Sequence, residues 1–116
     1  MATHKNLTLR IIIEVRDMKN TTDRRPTHPG AILREDTLPA VGLSAAALAD
    51  VLGISAAALR RVLREQGAIT PDIANRLGHA FGMSPEIWLR MQQAVELYDA
   101  RVKHKSEYAR IDRIAA

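Results

Sequence analysis

The stretch Gly42–Thr70, GLSAAALADVLGISAAALRRVLREQGAIT, carries the block Ser-Ala-Ala-Ala-Leu twice, from Ser44 and again from Ser55. It could be an internal repeat, low-complexity filler or two helix starts. The residue chemistry favours helix starts. Serine is a good N-cap, because its oxygen accepts a bond from an unpaired N–H of the first turn. Alanine is the best helix former. The leucine that follows is placed to face a core. Between the blocks, Leu52-Gly53-Ile54-Ser55 supplies a glycine that can take a positive φ and an apolar residue just before the next cap. A short helix, a tight glycine turn and a second short helix make a helix-turn-helix. The spacing of the two blocks is too short for a solenoid repeat.

Helical geometry then says what each helix shows. The second helix, about Ala45–Leu52, is expected to turn Leu48, Val51 and Leu52 inward. The third, about Ala56–Gln66 with Gly67 as its end, has the core stripe Leu59, Val62 and Leu63. Ala57, Arg61 and Arg64 lie opposite, with Arg60 beside them and Glu65 at the edge. In a helix-turn-helix the second helix of the pair enters the major groove. Arginine there can grip guanine O6 and N7 in bidentate fashion, or hold a phosphate. The candidate DNA-binding residues are therefore Ser44, Ser55, Ala56, Ala57, Arg60, Arg61 and Arg64. Ala56 and Ala57 can touch a thymine methyl but form no hydrogen bond to a base. The reading set is expected to be small and led by Arg60 and Arg61. Three arginines would also suit a merely solvated helix face.

Working outward, Ile32, Leu33 and Leu38 mark a first helix over Gly30–Leu38, with Pro39 and Gly42 as its stops. Thr70 and Pro71 open a fourth helix through Ile73, Leu77 and Phe81, closed by Gly82. Ser84 and Pro85 repeat that cap-plus-proline signal. The fifth helix runs from Pro85 to at least Asp99. Its Trp88 and Met91 read as core, and Val95 and Tyr98 as either core or dimer contact. Residues 100–116 form a tail that could stay helical. Residues 1–27 read as an extension and linker, leaving 28–99 as the domain. Leu7–Val15, LTLRIIIEV, alternates like a β-strand. A lone strand leaves its backbone unpaired. It could join a partner's sheet or form a dimer ribbon, or translation could begin at Met18.

Bulk properties narrow the function. The chain has 116 residues, enough for one small domain, and 47% are hydrophobic, enough for a modest core. With no cysteine, a disulfide framework, a cysteine-ligated zinc site and a cysteine nucleophile are excluded. No apolar run reaches the roughly 20 residues of a membrane span, and no secretory signal is evident. A soluble cytoplasmic protein is expected, with no membrane association. Net charge is +4, but residues 28–98 hold six Lys/Arg against seven Asp/Glu, so any DNA contact must rest on local placement. Aromatics at 3% are too few for single-strand stacking platforms. His4, His28, His79 and His104 lie too far apart in sequence to suggest a metal site. Ser44, Ser55 and Ser84 have capping roles, and Glu35 and Asp36 point to different helix faces. No enzyme, metal or cofactor is expected.

The segments HPGAILREDTLPAVGLS, LADVLGIS, GAITPDIANRLGHAFGMSPEIWLRMQ and AVELYDA together resemble the HigA-type antitoxins of the Xre-like helix-turn-helix class. The likeness covers about His28 to Ala100. Its specific parts are His28-Pro29-Gly30, Ile69-Thr70, the run Ser84-Pro85-Glu86-Ile87-Trp88-Leu89, and Gln92. The resemblance implies an all-α, five-helix, lambda-repressor-like domain that forms a homodimer and binds a palindromic operator in double-stranded DNA. It also implies a HigB-type toxin partner, an mRNA endonuclease that the protein neutralises. Related orphan regulators keep the domain without a toxin. The family often has polar or basic residues where this chain has Ala45, Ala56 and Ala57, and an Asn-Gly-Lys-like turn where it has Arg64-Glu65-Gln66. It usually has an aromatic at Ile87 and Asn at Arg90. A protein-interaction module with weakened DNA binding is thus the second expectation, and a toxin-less regulator the third.

Overall fold

The computed structural model describes Ile11 and residues 24–115. All regular structure among these residues is helical. The first helix comes in three consecutive pieces: α1 (Pro29–Ile32), a π-helical stretch (Leu33–Thr37) and α2 (Leu38–Val41). Then follow α3 (Ala45–Leu52), α4 (Ala56–Leu63), α5 (Pro71–Phe81), α6 (Pro85–Lys103) and the short α7 (Lys105–Ala109). α3 packs on α4 and α5, α1 on α4 and α6, and α5 on α6. One core cluster joins them, centred on Ile32, Leu33, Leu48, Leu59, Leu77 and Trp88, all essentially inaccessible to solvent. Burying each such side chain contributes on the order of 1.5–3 kcal/mol.

The two serine caps form as the sequence predicts. Ser44 Oγ accepts from the Ala47 N–H and Ser55 Oγ from the Ala58 N–H, both at 3.1 Å. Thr70 Oγ1 accepts from the Ile73 N–H at 3.2 Å. Gly53 ends α3 at φ 71°, where any side chain would be strained. The Ser84 side chain does not cap α6; its hydroxyl donates instead to Glu86 Oε2.

Several expectations are corrected. The first helix does not stop at Pro39 but runs to Val41 and ends at Gly42, φ 68°. The π-helical stretch explains this. The Leu38 N–H bonds back to the Leu33 carbonyl, five residues away, so the wider register precedes the proline and moves the upstream carbonyls out of its ring's way. The third helix ends at Leu63 rather than Gln66, and Glu65, not Gly67, takes the left-handed conformation at φ 61°. Val51 is 63% exposed; Ala49 takes the inward place expected for it, so the stripe is Leu48, Ala49 and Leu52. Val95 is buried within this single chain and Tyr98 half-buried. The strand expected over 7–15 lies outside the described residues except for Ile11, which is helical and fully buried in the core cluster.

Two buried polar contacts fix how the helices meet. Gln92 on α6 accepts from the Ile69 N–H at 2.9 Å, tying the α4–α5 loop to α6, and its amide donates to Glu96 at 3.2 Å. At the start of α1, the buried His28 ring accepts from the Gly30 N–H at 2.9 Å through Nδ1. Gly30 itself lies against α4: a Cβ there would sit 1.9 Å from the Val62 carbonyl oxygen. The His28-Pro29-Gly30 turn is therefore a close backbone contact between the first helix and α4.

Gly30→Ala should force these helices apart and cost about 2–3 kcal/mol in a urea denaturation series. Burial lowers the His28 pKa below its ordinary 6.5. The folded state thus favours the neutral ring, whose Nδ1 lone pair receives the Gly30 bond. This contribution to stability is complete above pH 6.5 and is lost as the pH falls through that value toward the lower folded-state pKa. Urea midpoints for the wild type should drop between pH 7.5 and 5.5. His28→Asn, which can accept the same bond without titrating, should show a smaller drop.

Candidate nucleic-acid interface

The paired helices α3 and α4 present their N-termini through the Ser44 and Ser55 caps, and both serines are exposed. Helix N-termini carry unpaired N–H groups and the positive end of the helix dipole, so they suit phosphate oxygens. Along α4, Leu59, Val62 and Leu63 are buried, while Ala57, Arg60 and Arg61 are exposed on the other side. Ala56 is half-buried and packs against the core cluster, as does Ala45. These two alanines therefore have a packing role that the sequence pattern did not reveal. Arg64 caps the C-terminal end of α4 and is exposed, about one turn beyond Arg60.

The arginines on and around the helix pair divide into two groups. Among the described residues, no hydrogen bond or ion pair engages the side chains of Arg60, Arg61 and Arg64. Arg25, Arg34 and Arg76 are all engaged. Arg76 on α5 donates to the Leu52 carbonyl at 2.7 Å and the Gly53 carbonyl at 3.3 Å, and pairs with Asp72 at 2.9 Å. It thereby closes the C-terminal end of α3 at the turn. Arg34 donates to the Leu63 carbonyl at 2.6 Å and does the same for α4. A cation on the last carbonyls of a helix complements its negative end. Both helices are thus clamped at their C-termini by a side chain from another element, and their N-termini stay open.

Glu65 was expected at the edge of the arginine face, but its carboxylate is taken up elsewhere. It pairs with Arg34 at 3.3 Å and Arg25 at 3.7 Å. Arg25 also forks onto Asp99 of α6 through bonds of 2.9 and 3.0 Å, which hold that carboxyl below the usual range. Sequence reasoning missed Arg34 and Arg76 and the pairing of Glu65. The Asp72–Arg76 pair, four apart on one helix, was a visible signal. Nothing local marks Arg34, whose acceptor lies 29 residues away.

No helix among the described residues is long and apolar enough to cross a membrane. No three His, Asp or Glu side chains among them gather as metal ligands. What the arrangement offers is an open arginine face on a rigidly held helix.

Comparison with known proteins agrees with this geometry. A helix-turn-helix family model matches residues 33–88. The chain is 49% identical over 70 residues to Virulence-associated protein I of Dichelobacter nodosus, a match covering 60% of this chain and 65% of that protein. It is 34% identical over 86 residues to Antitoxin HigA-1 of Vibrio cholerae, covering 74% of this chain and 81% of the relative. Its fold matches the solved structure of antitoxin GraA in complex with its operator, with a TM-score of 0.75 and 39% identity, over 83% of this chain and 98% of that one. The sequence motifs, the clamped helix pair and these relatives agree: the chain belongs to the HigA antitoxin family of helix-turn-helix proteins.

Proposed function

We propose that this protein is the DNA-binding antitoxin of a toxin–antitoxin pair, acting in the cytoplasm as a repressor of its own operon. It binds a palindromic operator as a homodimer, which sets two copies of α4 one DNA turn apart. It also neutralises a HigB-type, mRNA-cleaving toxin and has no catalytic role of its own. The observation that carries the DNA-binding reading is the unpaired, exposed arginine face of α4 in a fold that matches an operator-bound antitoxin. Arg60 and Arg61 read base edges, while Arg64 and the N-terminal ends of α3 and α4 at Ser44 and Ser55 hold phosphates. Ala57 is placed for an apolar contact with a thymine methyl. Ala56, half-buried against the core, contributes shape more than contact.

Fluorescence anisotropy of the purified protein with labelled promoter DNA, beside a scrambled duplex, tests this at several salt concentrations. The wild type should prefer the promoter. The Arg60→Ala/Arg61→Ala variant should lose about 10- to 100-fold of that preference. Equal and steeply salt-dependent binding to both duplexes by the wild type would contradict base reading by α4.

A further inference from the structure

A carboxylate directly behind a DNA-reading helix needs a reason, because it repels the polyanion that the helix must approach. Glu65 carries a second cost: it is the only non-glycine among the described residues with a positive φ, 61°. The left-handed conformation crowds its Cβ against the backbone. Two arginines from separate elements hold it there, Arg34 from the π-helical stretch and Arg25 from the segment ahead of α1. Arg25 is itself fixed to α6 by its two bonds to Asp99.

The turn so formed folds back on the arginine face. The N–H groups of Gln66 and Gly67 both donate to the Arg61 carbonyl, at 2.9 and 3.0 Å. The α position of Gly67 also lies close to Arg61, since a Cβ there would sit 3.4 Å from the Arg61 Cβ. The left-handed step at Glu65 is what lets the chain reverse and bring these donors onto that carbonyl.

We propose that Glu65 is a positioning residue for DNA reading, which Arg25 and Arg34 hold in its left-handed conformation so that the 65–67 turn fixes the backbone of Arg61. This rests on the operator-binding function proposed above. Glu65 touches no base or phosphate and acts only through Arg61.

The sign of the effect separates this role from plain electrostatics. Removing a negative charge from a DNA-binding surface should tighten binding to any duplex. Positioning predicts the opposite for the promoter. Glu65→Gln should bind promoter DNA about fivefold more weakly, with scrambled DNA bound as well as before or better. Glu65→Gly takes the left-handed step without strain and without help from the two arginines, so its Tm should equal or exceed that of the wild type and its promoter binding should stay near the wild-type level. Arg25→Ala should weaken promoter binding with an unchanged salt slope, whereas an arginine on a phosphate would lower that slope by about one. Anisotropy titration of all four proteins, with Tm from circular dichroism, reads these effects. Promoter binding that is unchanged or tighter in Glu65→Gln, or a loss in Glu65→Gly equal to that in Glu65→Gln, would overturn the proposal. A wild type that does not distinguish promoter from scrambled DNA would overturn the operator-binding function, and the proposal with it.

Discussion

The fixed angle between α3 and α4 is the constraint on which the rest of this molecule depends. Gly53 sets it by adopting φ 71°, and Arg76 locks it by bonding to the carbonyls of Leu52 and Gly53. A Cβ on Gly53 would sit 3.0 Å from the Arg76 guanidinium, so the absence of a side chain serves both the turn and the clamp. The two eight-residue helices would be marginal in isolation. They persist because Leu48, Leu52, Leu59 and Val62 share one core with α5 and α6. The angle is thus a property of the whole domain, held at its vertex by a residue from outside the motif.

The same logic divides the charges. Helix dipoles give α3 and α4 a positive N-terminal end and a negative C-terminal end. Serines cap the N-termini without filling them, and arginines from α5 and the first helix cover the C-termini. Arg76 and Arg34 are committed to helix carbonyls and acids, while Arg60, Arg61 and Arg64 project without a partner among the described residues. A chain whose residues 28–98 carry a slight excess of acid can still offer DNA a cationic face, because Glu35, Glu65 and Asp72 sit against the structural arginines.

Much of this was legible in the sequence, for local reasons. Ser44, Ser55 and Thr70 announced helix starts because capping needs one side chain and an N–H three residues on. Gly42, Gly53 and Gly82 announced ends because each takes a positive φ. The family motifs were equally readable, and His28, Gly30 and Gln92 turn out to make close contacts between elements. The misreadings came from non-local causes. Pro39 looked like a stop because the π-helical register that admits it depends on how the first helix packs. Val51 looked like core because it is apolar at a plausible spacing, but the smaller Ala49 fills that place. Gly67 looked like the end of α4 because nothing local says that Glu65 will take the left-handed turn; Arg25 and Arg34, far away in sequence, hold it there. The outer arginine face was readable from helical periodicity alone, but the clamps behind it were not.

The account's central claim is that the open N-terminal ends of α3 and α4 and the arginine face of α4 meet DNA, while the clamped carbonyls of Leu52, Gly53 and Leu63 and the turns beyond them stay back. An amide-resolved NMR titration with the promoter duplex measures this most directly. The account predicts the largest perturbations at the amides of residues 45–47 and 56–58 and at the side chains of Arg60 and Arg61. Those at Gly53, Leu63 and residues 65–67 should be small. Perturbations concentrated at Leu52, Gly53, Leu63 and residues 65–67, or spread evenly over the surface and abolished by moderate salt, would contradict it.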